Sequence, residues 1–262
     1  MTIRVPSTTV SFTMVPVKAD GVTLWALETE VPWELYDIFV YSLDQPNGSD
    51  GDTSETTADA SSSVDAVSRP SKPYVPPDRG YGHHGYAAMG MTHHAAEQFC
   101  VWLNAATGGE FRLPKAAEWE MLASDDTDAP IDDRAWHSGI AGNTTHPVRT
   151  KQANSHGLYD TLGNVAEWVV TDSRRPVAMG GSYVDPADEC TPTSRQVQDS
   201  SWNMSDPQFP KSQWWLADCS WVGFRIVAHD IADALANTPA PVALDESTSA
   251  DKGKGTEERD DR

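Results

Sequence analysis

The stretch GLYDTLGNVAEW, residues 157–168, places two carboxylates, Asp160 and Glu167, on either side of a Gly163-Asn164 pair. A Gly-Asn pair favours a tight turn, because both residue types tolerate a positive φ. Such a turn can bring the main-chain carbonyls of Gly163 and Val165 toward the same point as the two carboxylates. The stretch is therefore a candidate metal loop, catalytic loop or corner of the core.

The charge of the chain limits the classes of partner. The 262 residues carry a formal net charge of −20, which repels nucleic acid and anionic membranes, so neither is an expected partner. No run of about 20 apolar residues occurs, and no membrane span is predicted. The start lacks the apolar region of a secretory signal, which predicts a cytoplasmic protein unless the start is mis-assigned.

Two segments differ in composition from the rest, residues 44–69 and 236–262. Both are polar and contain almost no bulky apolar residue, so neither can bury enough apolar surface to offset the entropy of ordering. We predict that residues 44–69 are a flexible acidic insert and that residues 236–262 are a disordered acidic tail. Residues 1–43 and 70–235 then form a single domain.

Hydrophobic periodicity predicts a β-hairpin and three helices. The alternation at residues 10–17 and 22–27 is typical of two half-buried antiparallel strands. Helical spacing predicts one helix with Pro32 in its first turn, one helix capped by Thr92, and one helix that begins at Pro114.

The chain after residue 124 shows no further long helical pattern. It is rich in Gly, Pro, Asn and Trp, and its apolar runs are short, such as residues 165–170 and 222–227. Irregular backbone needs side-chain partners, and the 10 tryptophans of the chain can supply buried aromatic surface beneath the loops. The predicted class is therefore α+β and loop-rich, with short antiparallel strands and about three helices.

Four motifs in sequence resemble one known family. They are FRLPKAAEWE at residues 111–120, GLYDTLGNVAEW at 157–168, GGSY at 180–183 and VGFR at 222–225. Their order and spacing are similar to the formylglycine-generating enzyme, or sulfatase-modifying factor, family. The resemblance covers roughly residues 10–43 and 70–229 and implies a variant of the C-type lectin fold.

The resemblance also implies a possible activity. Catalytic members of the family oxidise a sulfatase cysteine to formylglycine with O₂, using copper held by two cysteines after the GGS motif. Counting from Tyr183 places Asp185 at the first cysteine position and Cys190 at the second. A carboxylate is a poor ligand for soft Cu(I). If the chain is catalytic, the resemblance implies Cys190 and Ser182 as catalytic residues and copper as the cofactor.

Two further residues bear on that activity. Cys219 could complete a copper pair with Cys190, form a disulfide with it, or remain a free buried thiol. Ala166 occupies the place where the family often has Trp, so the wall of any active groove differs here. The hydroxyl of Ser182 either faces the reacting sulfur or makes a hydrogen bond within the Gly-Gly turn.

The histidine pairs His83-His84 and His93-His94 invite a metal interpretation. Adjacent histidines point in different directions on a helix or strand, so a pair rarely holds one ion. Neither pair has the flanking residues of a recognised metal motif. We expect the first pair in a polar turn and the second at a helix N-terminus.

For residues 157–168, which we call the acidic turn, the resemblance implies a structural calcium site formed by Asp160, Gly163, Val165 and Glu167. Calcium takes about six to eight oxygen ligands from carboxylates and main-chain carbonyls, which these positions can supply in part. In the alternative interpretation, Asp160 caps a turn and Glu167 pairs with a buried donor.

Two main hypotheses for function follow. The first is a calcium-stapled domain without copper chemistry that binds an extended peptide or a protein partner, such as a sulfatase, or serves as an accessory module. The second is an active formylglycine-generating oxidase.

Overall fold

The computed structural model describes residues 1–19, 21–45, 68–73, 75–124, 128–173 and 175–238. Most of the predicted insert and most of the predicted tail, residues 46–67 and 239–262, lie outside the described residues. No helix in the described ranges is long and apolar enough to cross a membrane.

The fold is mixed α+β, as predicted, and its regular elements are short. The strands are β1 (Thr2–Arg4), β2 (Ser11–Ala19), β3 (Val22–Leu27), β4 (Ala166–Val169), β5 (Val177–Met179), β6 (Arg195–Val197), β7 (Val222–Gly223) and β8 (Val227–Ala228). The α-helices are α1 (Trp33–Tyr41), α2 (His93–Thr107), α3 (Ala116–Ala123), α4 (Ile131–Arg134) and α5 (Ala232–Ala236). Two 3₁₀ turns occur at Ala187–Glu189 and Ser200–Asn203.

The strands form two four-stranded sheets, with orders β1-β2-β3-β8 and β6-β5-β4-β7. The predicted hairpin is confirmed, because β2 and β3 pair antiparallel with Val15 opposite Ala26. Most strand pairs are antiparallel, as predicted, whereas β4 and β7 run parallel. Parallel neighbours need a long connection, and here β5, β6 and the loops up to Trp221 supply it.

The apolar run at residues 222–227 joins the two sheets. Its first two residues form β7 in one sheet, and its last residue, Val227, begins β8 in the other. The backbone at Gly223 has no space for a side chain, because an added Cβ would lie 2.6 Å from the carbonyl oxygen of Ala88. Between the two strands lies Arg225, which is therefore held where the sheets meet.

The second predicted helix is confirmed with its caps. The hydroxyl of Thr92 accepts a hydrogen bond of 3.0 Å from the amide of Ala95 and thereby satisfies one free N–H of the first turn of α2. The helix ends at Gly108, whose φ of 74° places it in the left-handed region that favours glycine.

The other two predicted helices are α1 and α3. Ser42 adopts a left-handed conformation and ends α1 after Tyr41. Helix α3 begins two residues later than predicted, at Ala116, because Lys115 is still extended. The carboxylate of Glu118 accepts a hydrogen bond from the amide of Lys115 and completes the start of α3.

Aromatic side chains fill the core between α1, α2 and the sheets, in agreement with the prediction of buried aromatics. The ring of Phe99 on α2 lies 5.2 Å from that of Phe224 and 5.3 Å from that of Trp102. Trp33 and Trp168 are also fully buried. Such rings bury large apolar areas, which allows long loops to pack on few regular elements.

The ends of the predicted insert contact each other. Arg69 forms an ion pair with Asp44 at 2.9 Å, and the indole of Trp102 donates to the same carboxylate. At the start of the predicted tail, the side chain of Asn237 donates to the carbonyl of Thr107 at 2.9 Å. Thr107 is the last residue of α2, so this bond satisfies a terminal carbonyl that composition could not reveal.

Candidate functional site

The acidic turn contains four left-handed residues, Gly157, Asp160, Gly163 and Asn164. Gly163 is required by its surroundings, because a Cβ there would lie 2.3 Å from the carbonyl oxygen of Trp136. The Oδ2 atom of Asp160 accepts a hydrogen bond of 2.7 Å from the amide of Arg149. Its Oδ1 atom is buried without a hydrogen-bond partner among the described residues. Asp160 therefore caps main chain with one oxygen only.

Glu167, the second carboxylate of the turn, forms a buried ion pair with Arg225. Its Oε1 atom lies 2.7 Å from Arg225 Nη2, and its Oε2 atom accepts from the indole of Trp119 at 2.8 Å. The guanidinium also donates to the carbonyls of Leu27 and Tyr159, at 2.7 and 2.8 Å. Arg225 thus joins β3, the acidic turn and β4. The alternative interpretation expected such a donor for Glu167.

Glu30 is a third buried carboxylate that the sequence did not single out. Its oxygens accept from the side chain of Asn164 and from the amide of Val165, both at 3.1 Å. Burial raises the pKa of Glu30 well above its ordinary value, and the charges of Asp160 and Glu167 add to this effect. A charged residue three positions before the first residue of α1 was the only signal in the sequence.

We call Glu30, Asp160, Glu167 and Arg225 the sheet junction. It holds three carboxylates and one guanidinium, all fully buried or nearly so. Burial raises the pKa of Asp160 to about 6, although the Arg149 amide and the Arg225 charge act in the opposite direction. The low dielectric of the interior disfavours this excess of negative charge unless protons or a cation compensate it.

The predicted calcium set fits the sheet junction only in part. The unpartnered Oδ1 of Asp160 is an oxygen that a cation could use, whereas both oxygens of Glu167 already accept from Arg225 and Trp119. In the described ranges, no three or more His, Cys, Asp or Glu side chains are grouped as metal ligands. The predicted calcium site would take two of its four ligands from the main-chain carbonyls of Gly163 and Val165. It stays a prediction.

Asp185, which the family resemblance predicts at the first copper-cysteine position, follows the Gly-Gly-Ser turn. The hydroxyl of Ser182 donates to Asp185 Oδ2 at 2.7 Å, and the side-chain amide of Gln196 donates to the same oxygen at 2.9 Å. The Asp185 amide donates back to the Ser182 carbonyl at 3.1 Å. The Ser182 hydroxyl therefore makes a hydrogen bond within the turn, and Asp185 is held by two donors.

All three cysteines are free thiols and all are buried. Cys190 packs beside Trp119 and Met179, while Cys219 belongs to a different apolar cluster with Phe224. Burial raises the pKa of Cys190 and of Cys219 to about 12 in each case. Because the thiolate is the form that binds metal and attacks electrophiles, this burial works against both reactions.

The first histidine pair lies in a turn and the second begins α2, as predicted. His83 has a carboxylate oxygen at each ring nitrogen, Asp37 at 2.7 Å and Asp78 at 3.1 Å. Both partners accept hydrogen bonds, so the ring satisfies both only as the doubly protonated imidazolium. Its ring stacks on Trp33 with 5.1 Å between centroids. His83 therefore clamps the turn to α1.

A cavity of about 310 Å³ opens between two loop segments, residues 71–79 and 203–217, above Met89 and Gly90. We call it the loop groove; residue 74 lies outside the described part. Prolines, Val75 and Trp215 make much of its lining apolar. Ser182, Asp185 and Cys190 do not line the groove. The sequence offered no local signal for it, because its walls come from distant segments.

Solved structures share this fold. A chain described as Treponema denticola variable protein 1 aligns with a TM-score of 0.55 and 21% identity, over 86% of this chain and 97% of that chain. The crystal structure of CarF aligns with a TM-score of 0.51 and 18% identity, over 87% of this chain and 96% of that chain. At such identities the likeness shows the fold alone.

Sequence relatives are more limited in extent. Serine/threonine-protein kinase Pkn1 of Chlamydia trachomatis serovar L2 is 32% identical over 96 residues, which are 34% of this chain and 14% of the kinase. Its counterpart in Chlamydia caviae is 33% identical over 95 residues. The chain thus corresponds to about a seventh of the length of these relatives.

A family model covers the larger part of the domain. It is described as the sulfatase-modifying factor enzyme 1-like domain, and it matches residues 87–229, more than half of the chain. The matched range contains all four motifs and the Gly-Gly-Ser turn. The chain therefore belongs to the sulfatase-modifying factor, or formylglycine-generating enzyme, family.

Proposed function

We propose that this chain is a binding module of its family, which takes an extended peptide or a protein segment into the loop groove and carries no copper oxidase activity. The observation that carries this proposal is the groove. Its volume of about 310 Å³ can hold one or two large side chains, at the lower end of the range of about 300–1,000 Å³ for ligand pockets. Loops on a packed scaffold are common places for binding residues.

The Gly-Gly-Ser turn supports the absence of oxidase chemistry. Asp185 stands at the first copper position and already accepts from Ser182 and Gln196. The thiol of Cys190 is buried with a raised pKa, and its described hydrogen-bond partner is the carbonyl of Ser182 at 3.9 Å. A soft cation would have to displace these bonds and bind one thiolate with a carboxylate, which is a poor pair for Cu(I).

The chlamydial relatives favour a modular role. The matched segment makes up 14% of each kinase, so domains of this kind occur as small parts of longer proteins. We therefore include an accessory role in the proposal, in which the domain binds a partner for other domains or subunits.

Calcium binding at the sheet junction is a second part of the proposal. A cation at Asp160 Oδ1 would satisfy a buried oxygen and offset the negative charge of Glu30 and Asp160. We expect calcium to raise the melting temperature relative to chelator. The free energy of unfolding should increase by about 2.7 kcal/mol when calcium exceeds its Kd about 100-fold. Asp160→Asn should abolish the difference. Equal melting with calcium and chelator would remove calcium from the proposal.

The peptide proposal can be tested by selecting displayed random dodecapeptides on the full chain and comparing two valine variants. Val75 lines the groove and is 50% exposed, whereas Val101 lies on α2, does not line the groove and is 49% exposed. Val75→Arg should weaken selected peptides at least tenfold by filling the groove. Val101→Arg, the matched control, should leave their affinity unchanged.

Two outcomes would contradict the proposal. Peptides that bind Val75→Arg as well as the unaltered chain would exclude the groove as the site. Formation of an aldehyde in a Cys-x-Pro-x-Arg peptide, lost in Cys190→Ser, would establish the oxidase alternative instead.

A further inference from the structure

The charges in the loop groove differ from those of the whole chain. The chain has 39 acidic and 19 basic residues, yet among the described residues the charged side chains that line the groove are Lys72, Arg79 and Asp206. The lining therefore carries one more positive than negative charge. A local excess of positive charge in such an acidic protein indicates that the groove can attract an anionic group despite the overall field.

The negative charge of Asp206 is directed into its own loop. Its Oδ1 atom accepts from the amide of Gln208 at 2.9 Å, and its Oδ2 atom accepts from the amide of Ser212 at 2.7 Å. The ammonium of Lys211 binds the Asp206 main-chain carbonyl. Because these donors surround the carboxylate, it organises the loop and contributes little repulsion to a ligand in the groove.

Arg79 is an exposed cation of the groove lining. Its Nη2 atom donates to the carbonyl of Ala217 at 2.6 Å, and it forms no ion pair with any described carboxylate. A guanidinium has five N–H donors, so bonds to carbonyls leave several for another acceptor. Arg79 also adopts a φ of 55°, a region that disfavours residues with a Cβ.

The neighbouring acid does not neutralise Arg79. The carboxylate of Asp78 accepts from the amide of Gly80 at 3.0 Å and from His83 at 3.1 Å. His83 is thus the partner of Asp78, and the Arg79 guanidinium forms no ion pair with the carboxylates of the described segments. A carboxylate of a ligand is the acceptor that fits a guanidinium best, because two parallel N–H donors match its two oxygens.

We propose that the ligand of the loop groove is an acidic peptide segment, which packs an apolar side chain against Val75 and Trp215 and places a neighbouring carboxylate on Arg79. This inference rests on the proposed binding function and specifies its ligand class. Both parts of the ligand are needed, since the apolar lining supplies contact area and the guanidinium supplies orientation and selectivity.

The test uses the peptides that the full chain selects from the random dodecapeptide library. Groove-dependent peptides should be enriched in Asp and Glu beside an apolar residue. Replacing their carboxylates by amides should weaken binding about tenfold or more, as expected for loss of a hydrogen bond between charged groups. Arg79→Gln should cause a similar loss of affinity, and Arg79→Lys should cause a smaller one. The control Arg175→Gln changes the net charge by the same amount outside the groove and should leave the affinity almost unchanged.

The outcomes separate this inference from the proposed function. Peptides that bind in the groove but show no enrichment in acids, or that bind Arg79→Gln unchanged, would overturn the acidic ligand and leave the binding function intact. The absence of any peptide sensitive to Val75→Arg would overturn both. Melting curves of the Arg79 variants confirm that a loss of binding does not arise from unfolding.

Discussion

The sheet junction and the loop groove use charged side chains in opposite ways. In the junction, Arg225 and Glu167 are 0% and 1% exposed and satisfy one another together with main-chain carbonyls and an indole. In the groove, Arg79 donates to carbonyls at the surface and has no described carboxylate partner. A paired, buried charge holds elements together, whereas an unpaired charge beside an apolar cavity is available to a ligand.

Under the proposed function, this difference accounts for a family scaffold that persists without copper chemistry. The motifs at residues 157–168 and 222–225 meet in the junction, where they join the two sheets. The loops at residues 71–79 and 203–217 lie outside these motifs and shape the groove. Changes in the loops can therefore alter the ligand without loss of the fold, and changes in the junction should affect stability first.

The largest effect is expected from breaking the junction. Arg225→Met leaves Glu167 buried beside Glu30 without its cation, and we expect a loss of about 3–5 kcal/mol in the free energy of unfolding. Urea denaturation measures it. The double variant Arg225→Met/Glu167→Gln should lose less than the single variant, because the unpaired charge is removed. A loss below about 1 kcal/mol in Arg225→Met would contradict the role of the junction.

A smaller effect on stability is expected from replacing glycines in the left-handed region by alanine, and it should differ between two of them. Gly163 and Gly142 have φ values of 73° and 66°, but only at Gly163 would a Cβ meet main chain, 2.3 Å from the Trp136 oxygen. Gly142→Ala should cost about 1–2 kcal/mol from its conformation alone. Gly163→Ala should cost about 1–3 kcal/mol more, because the clash adds overpacking. Equal losses in urea denaturation would show that the acidic turn is not tightly packed.

The clamp formed by His83 should depend on pH. Burial alone would lower the pKa of His83, but the hydrogen bonds and charges of Asp37 and Asp78 outweigh it and raise the pKa. Its stabilisation is then fully present below the ordinary value of about 6.5 and is lost as pH rises through the raised value. Glu34 and Tyr41 are the other titratable groups coupled to these carboxylates.

The pH-dependent stabilisation by His83 can be measured by comparing the unaltered chain with His83→Gln. The difference in unfolding free energy should be at most about 1 kcal/mol at about pH 6, because the ring is 39% exposed, and should decrease as pH rises through the raised pKa of His83. A difference that does not change with pH would show that His83 acts through packing on Trp33 rather than through charge.

The smallest effect on stability is expected in the loops of the groove. Phe209 is 100% exposed, so Phe209→Ser should change the free energy of unfolding by less than about 0.5 kcal/mol. A larger destabilisation would mean that this loop contributes to the core. The contrast with Arg225→Met would then disappear.

The elements that the sequence predicts well depend on local signals. The hairpin and α2 follow from alternation, from the Thr92 cap and from Gly108. The start of α3 was missed by two residues because the extended conformation of Lys115 leaves no mark in the pattern. Helices α4 and α5 are four and five residues long, too short to show helical periodicity.

The site was less predictable because its contacts are not local. The motifs located Glu167 and Arg225, but their ion pair joins residues 58 positions apart. Glu30 meets Asn164 from 134 positions away. The presence of Asp185 at this position was visible in the sequence. The hydrogen bond that Gln196 on β6 donates to its carboxylate was not, because only the fold brings the two residues together.

The central claim, a binding member of the family without copper chemistry, is tested most directly by anaerobic Cu(I) titration against a chromophoric competitor. A catalytic family member with both cysteines serves as the positive control. We expect this chain to remove no stoichiometric copper from the competitor and Cys190→Ser to behave identically. Tight one-to-one binding of Cu(I) that is lost in Cys190→Ser would contradict it.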